Sequence, residues 1–175
     1  MMNRHEEFQR VSEIAHSDTP EGHIVRIKLT AETGMEQVLA KIKNILRTLL
    51  AYDQTNWPGD NEWSNLLPHW FFSQFRDEPT EDESKQWLMK WKKLSEKQKI
   101  KQISDQSELW TLSGWTYWFR PDSTERIWMW WNSKVISQGE GIVEIEVFDW
   151  PIAYEAFIHL CKLSGAKKVE IVNMI

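Results

Sequence analysis

The chain has one cysteine, seven glycines and six prolines among 175 residues, and each scarcity removes a class of protein. Cys161 alone cannot close an internal disulfide, which fits a reducing compartment. Its place between Leu160 and Leu163 on an expected helix makes it an inert buried thiol rather than a nucleophile. Glycine is too sparse for a phosphate-cradling loop, and Gly139-Glu140-Gly141 reads as a turn between strands. Neither a G-x-S-x-G elbow nor a nucleophile flanked by a base occurs. The histidines, His5, His16, His23, His69 and His159, never fall three or four residues from one another or from Cys161. Metal-ligand spacing is therefore missing, and neither a metal nor a cofactor is expected.

Long apolar runs are also lacking. Nothing approaches the roughly 18 residues that cross a bilayer, and Met1 to Ser17 is polar, without the apolar segment of a signal peptide. The expectation is a cytoplasmic protein with no membrane partner. The formal charge of −5 is spread as −4 over residues 1–80, +1 over 81–108 and −2 over 109–175. An acidic or mixed surface disfavours wrapping nucleic acid and favours basic partners.

What the chain has in excess is indole. It carries twelve tryptophans, with Trp57, Trp63 and Trp70 in one stretch and Trp110, Trp115, Trp118, Trp128, Trp130 and Trp131 in another. Each buries roughly 150–250 Å² and carries an N–H that needs an acceptor once it leaves water. So much indole exceeds what packing usually requires, so several rings are expected to face a partner.

Periodicity assigns the elements. Phe8, Val11 and Ile14 suit a short helix over Arg4 to His16, and Val25, Ile27 and Leu29 alternate in a strand over Ile24 to Thr30. Thr33 with Glu36 makes a capping-box pattern before a helix from Gly34 to Ala51. Tyr52 to Asn65 is turn-rich, and Leu66 to Phe75 suits either a short buried strand or an irregular helix. Thr80 with Glu83, then Ser95 with Gln98, open two further helices, with Trp87, Trp91 and Leu94 as an apolar stripe and Ile100 and Ile103 turned inward.

From Trp115 the spacing becomes two. Trp115, Tyr117 and Phe119, a turn at Pro121-Asp122, then Ile127, Met129 and Trp131 predict an antiparallel aromatic hairpin. Val143, Ile145 and Val147 predict a strand with Glu144 and Glu146 facing water. Asp149-Trp150-Pro151 opens a helix that Gly165 ends near Ser164, and Lys168 to Asn173 supplies a last strand with Val169 and Ile171 inward. The fold expected is one α+β domain spanning 1–175, mainly antiparallel sheet with helices on one face. Its skeleton is a ferredoxin-like βαββαβ carrying an aromatic-rich loop and helical insertion over about 52–113.

Three sets of residues could carry function. Trp118, Arg120, Arg126, Trp128 and Trp130 on the hairpin, with Glu144 and Glu146, form the expected partner-binding set, since Trp, Tyr and Arg dominate binding hot spots. Glu144 and Glu146, about 7 Å apart on one strand face, also fit a glycosidase carboxylate pair, although a solvated strand face explains the same letters. Trp57, Asp60, Trp63, His69 and Trp70 form an alternative ligand set, in which indoles would stack on a sugar or metabolite and His69 would act as acid or base. Seven lysines and one acid, Glu96, lie between Lys85 and Lys101, interleaved with Trp87 and Trp91; that mixture also suits single-stranded nucleic acid. The reading preferred is a non-enzymatic interaction module that binds a protein partner. In its sharpest form it is an immunity protein neutralising a basic bacterial toxin through an acidic, tryptophan-rich surface.

Overall fold

Alternation writes the sheet and 3.6-residue spacing writes its cover. The computed structural model describes residues 2–13, 19–32, 34–106, 110–124, 126–149 and 151–174. Helix α1 (Arg4–Val11) starts from Asn3, whose side chain accepts from the Glu6 N–H while the Glu6 carboxylate accepts from the Asn3 N–H at 2.7 Å. It stops at Val11, short of the expected His16; Ile14 and His16 lie outside the described residues. Strand β1 (His23–Thr30) buries Val25, Ile27 and Leu29. Helix α2 (Met35–Leu50) buries Met35, Val38, Leu39, Ile42, Ile45, Leu46, Leu49 and Leu50, a stripe that only a helix can lay on one side. Thr33, the expected cap, lies outside the described residues, and Gly34 at the N-cap offers no side-chain bond.

The ambiguous stretch Leu66 to Phe75 contains a single-turn helix, α4 (His69–Phe72), with Pro68 as its N-cap, and a further turn of helix, α3 (Trp63–Leu66), closes the expected loop before it. Helices α5 (Glu81–Lys92) and α6 (Glu96–Gln106) follow at the two predicted boxes. Thr80 and Glu83 cap each other, and Gln98 Oε1 accepts from the Ser95 N–H at 2.9 Å. The inward orientation expected of Ile100 is corrected: it is 66% exposed. The side chain of Ile103 lies outside the described residues.

The largest correction concerns Trp115 to Phe119, within residues 112–119. They form helix α7 (Leu112–Tyr117) and the turn after it, where a hairpin strand was expected. Thr111 Oγ1 accepts from the Gly114 N–H at 3.1 Å and starts the turn, as an N-cap threonine does. Trp115 and Phe119 are four apart, hence on the same side of a helix as readily as of a strand. Both are fully buried while Tyr117 is 52% exposed.

The real hairpin is β2 (Trp128–Ser137) with β3 (Glu140–Val147), joined by Gln138-Gly139. Helix α8 (Glu155–Leu163) begins six residues after Asp149, with Tyr154 at its N-cap, so Asp149 does not cap it. Trp150 lies outside the described residues. Gly165, at φ +112, ends α8 as expected: its N–H donates to the Lys162 carbonyl and the Ala166 N–H to the Cys161 carbonyl, both at 3.0 Å, a Schellman closure. Strand β4 (Lys168–Met174) completes the sheet; Val169 packs on the core, but Ile171 is 37% exposed rather than inward.

The fold is α+β, a four-stranded antiparallel sheet in the order β2-β3-β1-β4 with helices. Strands β3 and β4 are both antiparallel to β1, which lies between them. Val25, Ile27, Leu29, Val143, Ile145 and Val147 join α2, Phe157, Leu160 and Cys161 in one buried cluster. The opposite face carries the ion pairs Arg26–Glu144 at 2.8 Å and Lys28–Glu140 at 2.7 Å, cross-strand pairs that suit a wetter surface.

Candidate functional site

The indoles go mostly inward. Trp63, Trp115, Trp128 and Trp130 are at most 1% exposed, and Trp57, Trp70, Trp91, Trp110, Trp118 and Trp131 are half-buried. Trp87, at 43%, is the only exposed one among the described residues. The rings interlock by edges: Phe71 to Trp115 at 4.9 Å, Trp115 to Phe119 at 4.7 Å, Phe119 to Trp128 at 6.1 Å and Trp128 to Phe157 at 5.1 Å. Such pairs add about 0.5–1.5 kcal/mol beyond the area they bury. Trp115 and Trp128 donate their indole N–H groups to the carbonyls of Ala156 and Ala153, each at 2.9 Å.

The expected partner-binding set therefore divides. Trp128 and Trp130 stand opposite Val147 and Ile145 in the ladder, so their side chains share the core face and cannot meet a partner. Arg126 is no surface anchor either. Its guanidinium, 7% exposed, makes a bidentate pair at 2.8 and 2.7 Å with Glu7, which is fully buried and also accepts from the Trp130 N–H. Glu146 is 1% exposed, and its Oε1 accepts from the N–H groups of Glu21 and Gly22 at 2.7 and 2.8 Å. The segment at Gly22 closes over that carboxylate so tightly that an added Cβ would sit 2.6 Å from the Val147 carbonyl oxygen. Glu144 is 20% exposed and bound to Arg26 Nε. The two acids share a strand face as predicted, yet each is committed to structure.

Glu7 and Arg4 are residues that sequence reasoning missed. Arg4 donates to the carbonyls of Leu49, Tyr52 and Phe119 at 2.6, 2.8 and 3.0 Å. Burial, and then the field of Arg126, lowers its pKa to about 10. A glutamate in a first helical turn looks like ordinary dipole compensation, so no sequence signal marked Glu7 as buried.

Of the alternative ligand set, Trp57 and Trp63 meet each other, while Trp70 and His69 make other contacts. Trp63 is sealed by Tyr52 and Trp57, with ring centroids at 5.6 and 4.8 Å, and Arg4 lies 5.5 Å from the centre of Trp57. Lys41 stands 5.0 Å from the centre of Trp70, while His69 is exposed and meets Phe72 edge-on. Two clefts, of about 480 and 370 Å³, open beside α2 and on the wetter sheet face; none of these five residues lines either one.

One surface gathers exposed residues from several segments. Arg76 bridges to Thr111, and its N–H donates to the Trp110 carbonyl, so the segment that carries α5 and α6 is an excursion whose flanks meet at one place. The acids Asp77, Glu78, Glu81, Asp82 and Glu83 open that excursion, all exposed. Glu78 reaches the start of α7, accepting from the Ser113 N–H at 2.9 Å. At the other end of α7, Arg120 makes two 2.9 Å bonds to Asp122, and these, with a weaker field from Asp60, favour its charged form. Asp60 belongs to a loop folded on its own carboxylates: Asp53 accepts from Thr55 and Asn56, and Glu62 accepts from the Gly59 N–H. The bond from Thr55 holds the Asp53 carboxyl below its ordinary range. Tyr117, on the last turn of α7, is 52% exposed, with the Arg120 guanidinium 5.7 Å from its ring centre.

This arrangement is preformed, negatively charged and centred on an aromatic ring, so it can attract and orient a basic surface. Burial pushes the Cys161 thiol pKa up, which keeps it protonated and inert. Among the described residues no three His, Cys, Asp or Glu side chains gather as a metal site, and no helix is long and apolar enough to cross a membrane. Comparison with known proteins adds no relative: no family model, no curated protein and no solved structure matches the chain.

Proposed function

We propose that the protein is a non-enzymatic protein-interaction module that binds a basic partner through the acidic surface around α7. The observation that carries this reading is exposed Tyr117 on one short helix, with Glu78 bonded at its start, Asp122 just beyond its end and the field of Asp60 reaching Arg120. Six helical residues span about 9 Å, so both groups lie within reach of one partner. The loop is ordered before binding, which lowers the entropy lost on association, and the negative field speeds encounter with a cationic surface.

In its sharpest form the partner is a basic bacterial toxin, the module acting as its immunity protein in the cytoplasm. The whole chain then serves as one α+β domain in which the 52–113 insertion contributes Asp60 and Glu78 to the binding surface and the segment after it contributes Tyr117 and Asp122. Read from its other edge, the sheet runs β4-β1-β3-β2 with α2 and α8 as crossovers, which supports a ferredoxin-like skeleton.

The test is affinity capture from extracts of the native host, with wild type beside Tyr117→Ala and the charge reversal Asp60→Lys with Glu78→Lys. A basic protein retained in stoichiometric amount, released by salt and lost with the reversal, is expected. Recovery of no such protein, or of one indifferent to Tyr117 and the acids, would contradict the reading.

A further inference from the structure

The helical excursion carries chemistry that the acidic surface does not use. Every residue of α5 except half-buried Trp91 is exposed, and the helix buries none of its twelve residues. Yet its sequence is amphipathic. At 100° per residue, Trp87, Leu88, Trp91 and Leu94 fall within one arc, bordered in the first turn by Glu81 and Glu83 and in the later turns by Lys85 and Lys92 on one side and Lys90 and Lys93 on the other. Trp87 and Leu88 are 43% and 46% exposed, and Ile100 of α6 is 66% exposed. Seven lysines against Glu96 alone give residues 85–101 a charge of +6, leaving −11 on the remainder of a chain of −5. Within that stretch only Lys85 has an ion-pair partner among the described residues, Glu81 one helical turn earlier.

We propose that this excursion binds the surface of an anionic lipid bilayer, lying in the interface with Trp87, Leu88 and Trp91 toward the acyl boundary and the lysines among the phosphates. Exposed indole and aliphatic side chains bordered by lysine are the features that hold a helix at such an interface. The positive stretch of residues 85–101 complements the anionic leaflet. A single strand of nucleic acid fits less well. The two indoles cover each other, 5.0 Å apart and 19° from parallel, which removes ring faces that bases would need, and Leu88 and Ile100 gain little from a polar polymer. The lack of a spanning segment does not bear on a helix that lies on a surface.

Sedimentation of the full chain with phosphatidylcholine vesicles, with and without phosphatidylserine, tests the proposal. Binding to the phosphatidylserine vesicles alone is expected, with a blue shift of tryptophan emission and loss of binding as salt rises. Lys90→Gln, Lys92→Gln and Lys93→Gln together should lower partitioning about 100-fold, at about five-fold per lysine, and Trp87→Ser should abolish most of the emission shift. Unchanged melting shows that the variants fold. Failure to sediment, sedimentation indifferent to the lysines and Trp87, tighter retention of a single-stranded oligonucleotide by the same residues, or a dimer that these substitutions dissolve would each overturn it.

Discussion

Two pairs of tryptophans have opposite fates. Trp128 and Trp130 alternate along β2, meet Phe157 edge-on at 5.1 and 6.3 Å and are 1% exposed. Trp87 and Trp91 lie one turn apart on α5, stack on each other and leave Trp87 43% exposed. The same side chain serves as core filling where a sheet face and two helices surround it, and as free surface where its helix has no covering layer. Tryptophan content therefore measures neither burial nor binding; the element beneath the ring decides.

The contrast can be broken at its strongest point first. Trp130→Ala is expected to cost about 3–5 kcal/mol in chemical denaturation, the range for removing a large buried aromatic. Glu7→Ala should cost roughly as much, because it leaves the Arg126 guanidinium buried without its partner. Replacing the pair by Leu and Met should recover most of that loss, a double-mutant comparison that separates an unpaired charge from lost packing. Gly165→Ala forces a left-handed conformation on a residue with a Cβ and should cost about 1–2 kcal/mol.

The excursion should respond locally. Thr80→Ala removes a cap worth about 1 kcal/mol, and that loss should appear as faster amide exchange in α5 with the global unfolding midpoint little changed. A midpoint that moved with it would join the excursion to the core. Trp87→Ala should shift global stability by no more than about 0.5 kcal/mol, as for other surface positions.

The smallest effect is a pH dependence of the same cap. The bond from the Thr80 N–H, then that from its hydroxyl, holds the Glu83 carboxyl below its ordinary range. A depressed carboxyl contributes fully above its unfolded pKa and loses that contribution as pH falls through the lower, folded value. Thr80 amide protection should thus persist through the ordinary carboxylate range and fade only below it. Fading within that range would remove the bond.

Much of the framework was legible because its signals are local. Val25, Ile27 and Leu29 alternate, α2 repeats its apolar stripe over four turns, and the Thr80 and Ser95 boxes and Gly165 mark helix ends by chemistry acting within a few residues. The strand expected from Trp115 to Phe119 is a helix and turn because Trp115 and Phe119 satisfy both periods, and the Thr111 cap that decides between them is a single side-chain bond. The site was less legible still. Glu146 looks like a solvated strand acid until Gly22 folds over it from 124 positions away, and Arg126 looks like a surface cation until Glu7 arrives from α1. Conversely, Trp87, Trp91 and Leu94 carry the pattern of a core stripe, and nothing in one helix announces whether a second layer will cover it. Asp60 and Arg120 were each singled out, in different sets; that the field of one reaches the other follows from the tertiary fold.

Indole here is mainly interior cement, and the recognition proposed for this chain rests on other surfaces. Limited oxidation by N-bromosuccinimide with peptide mapping tests it most directly. Trp87 should be modified first and Trp91 next, while Trp63, Trp115, Trp128 and Trp130 stay intact until the protein is unfolded. Oxidation of Trp128 and Trp130 in the native protein as fast as Trp87 would contradict the account.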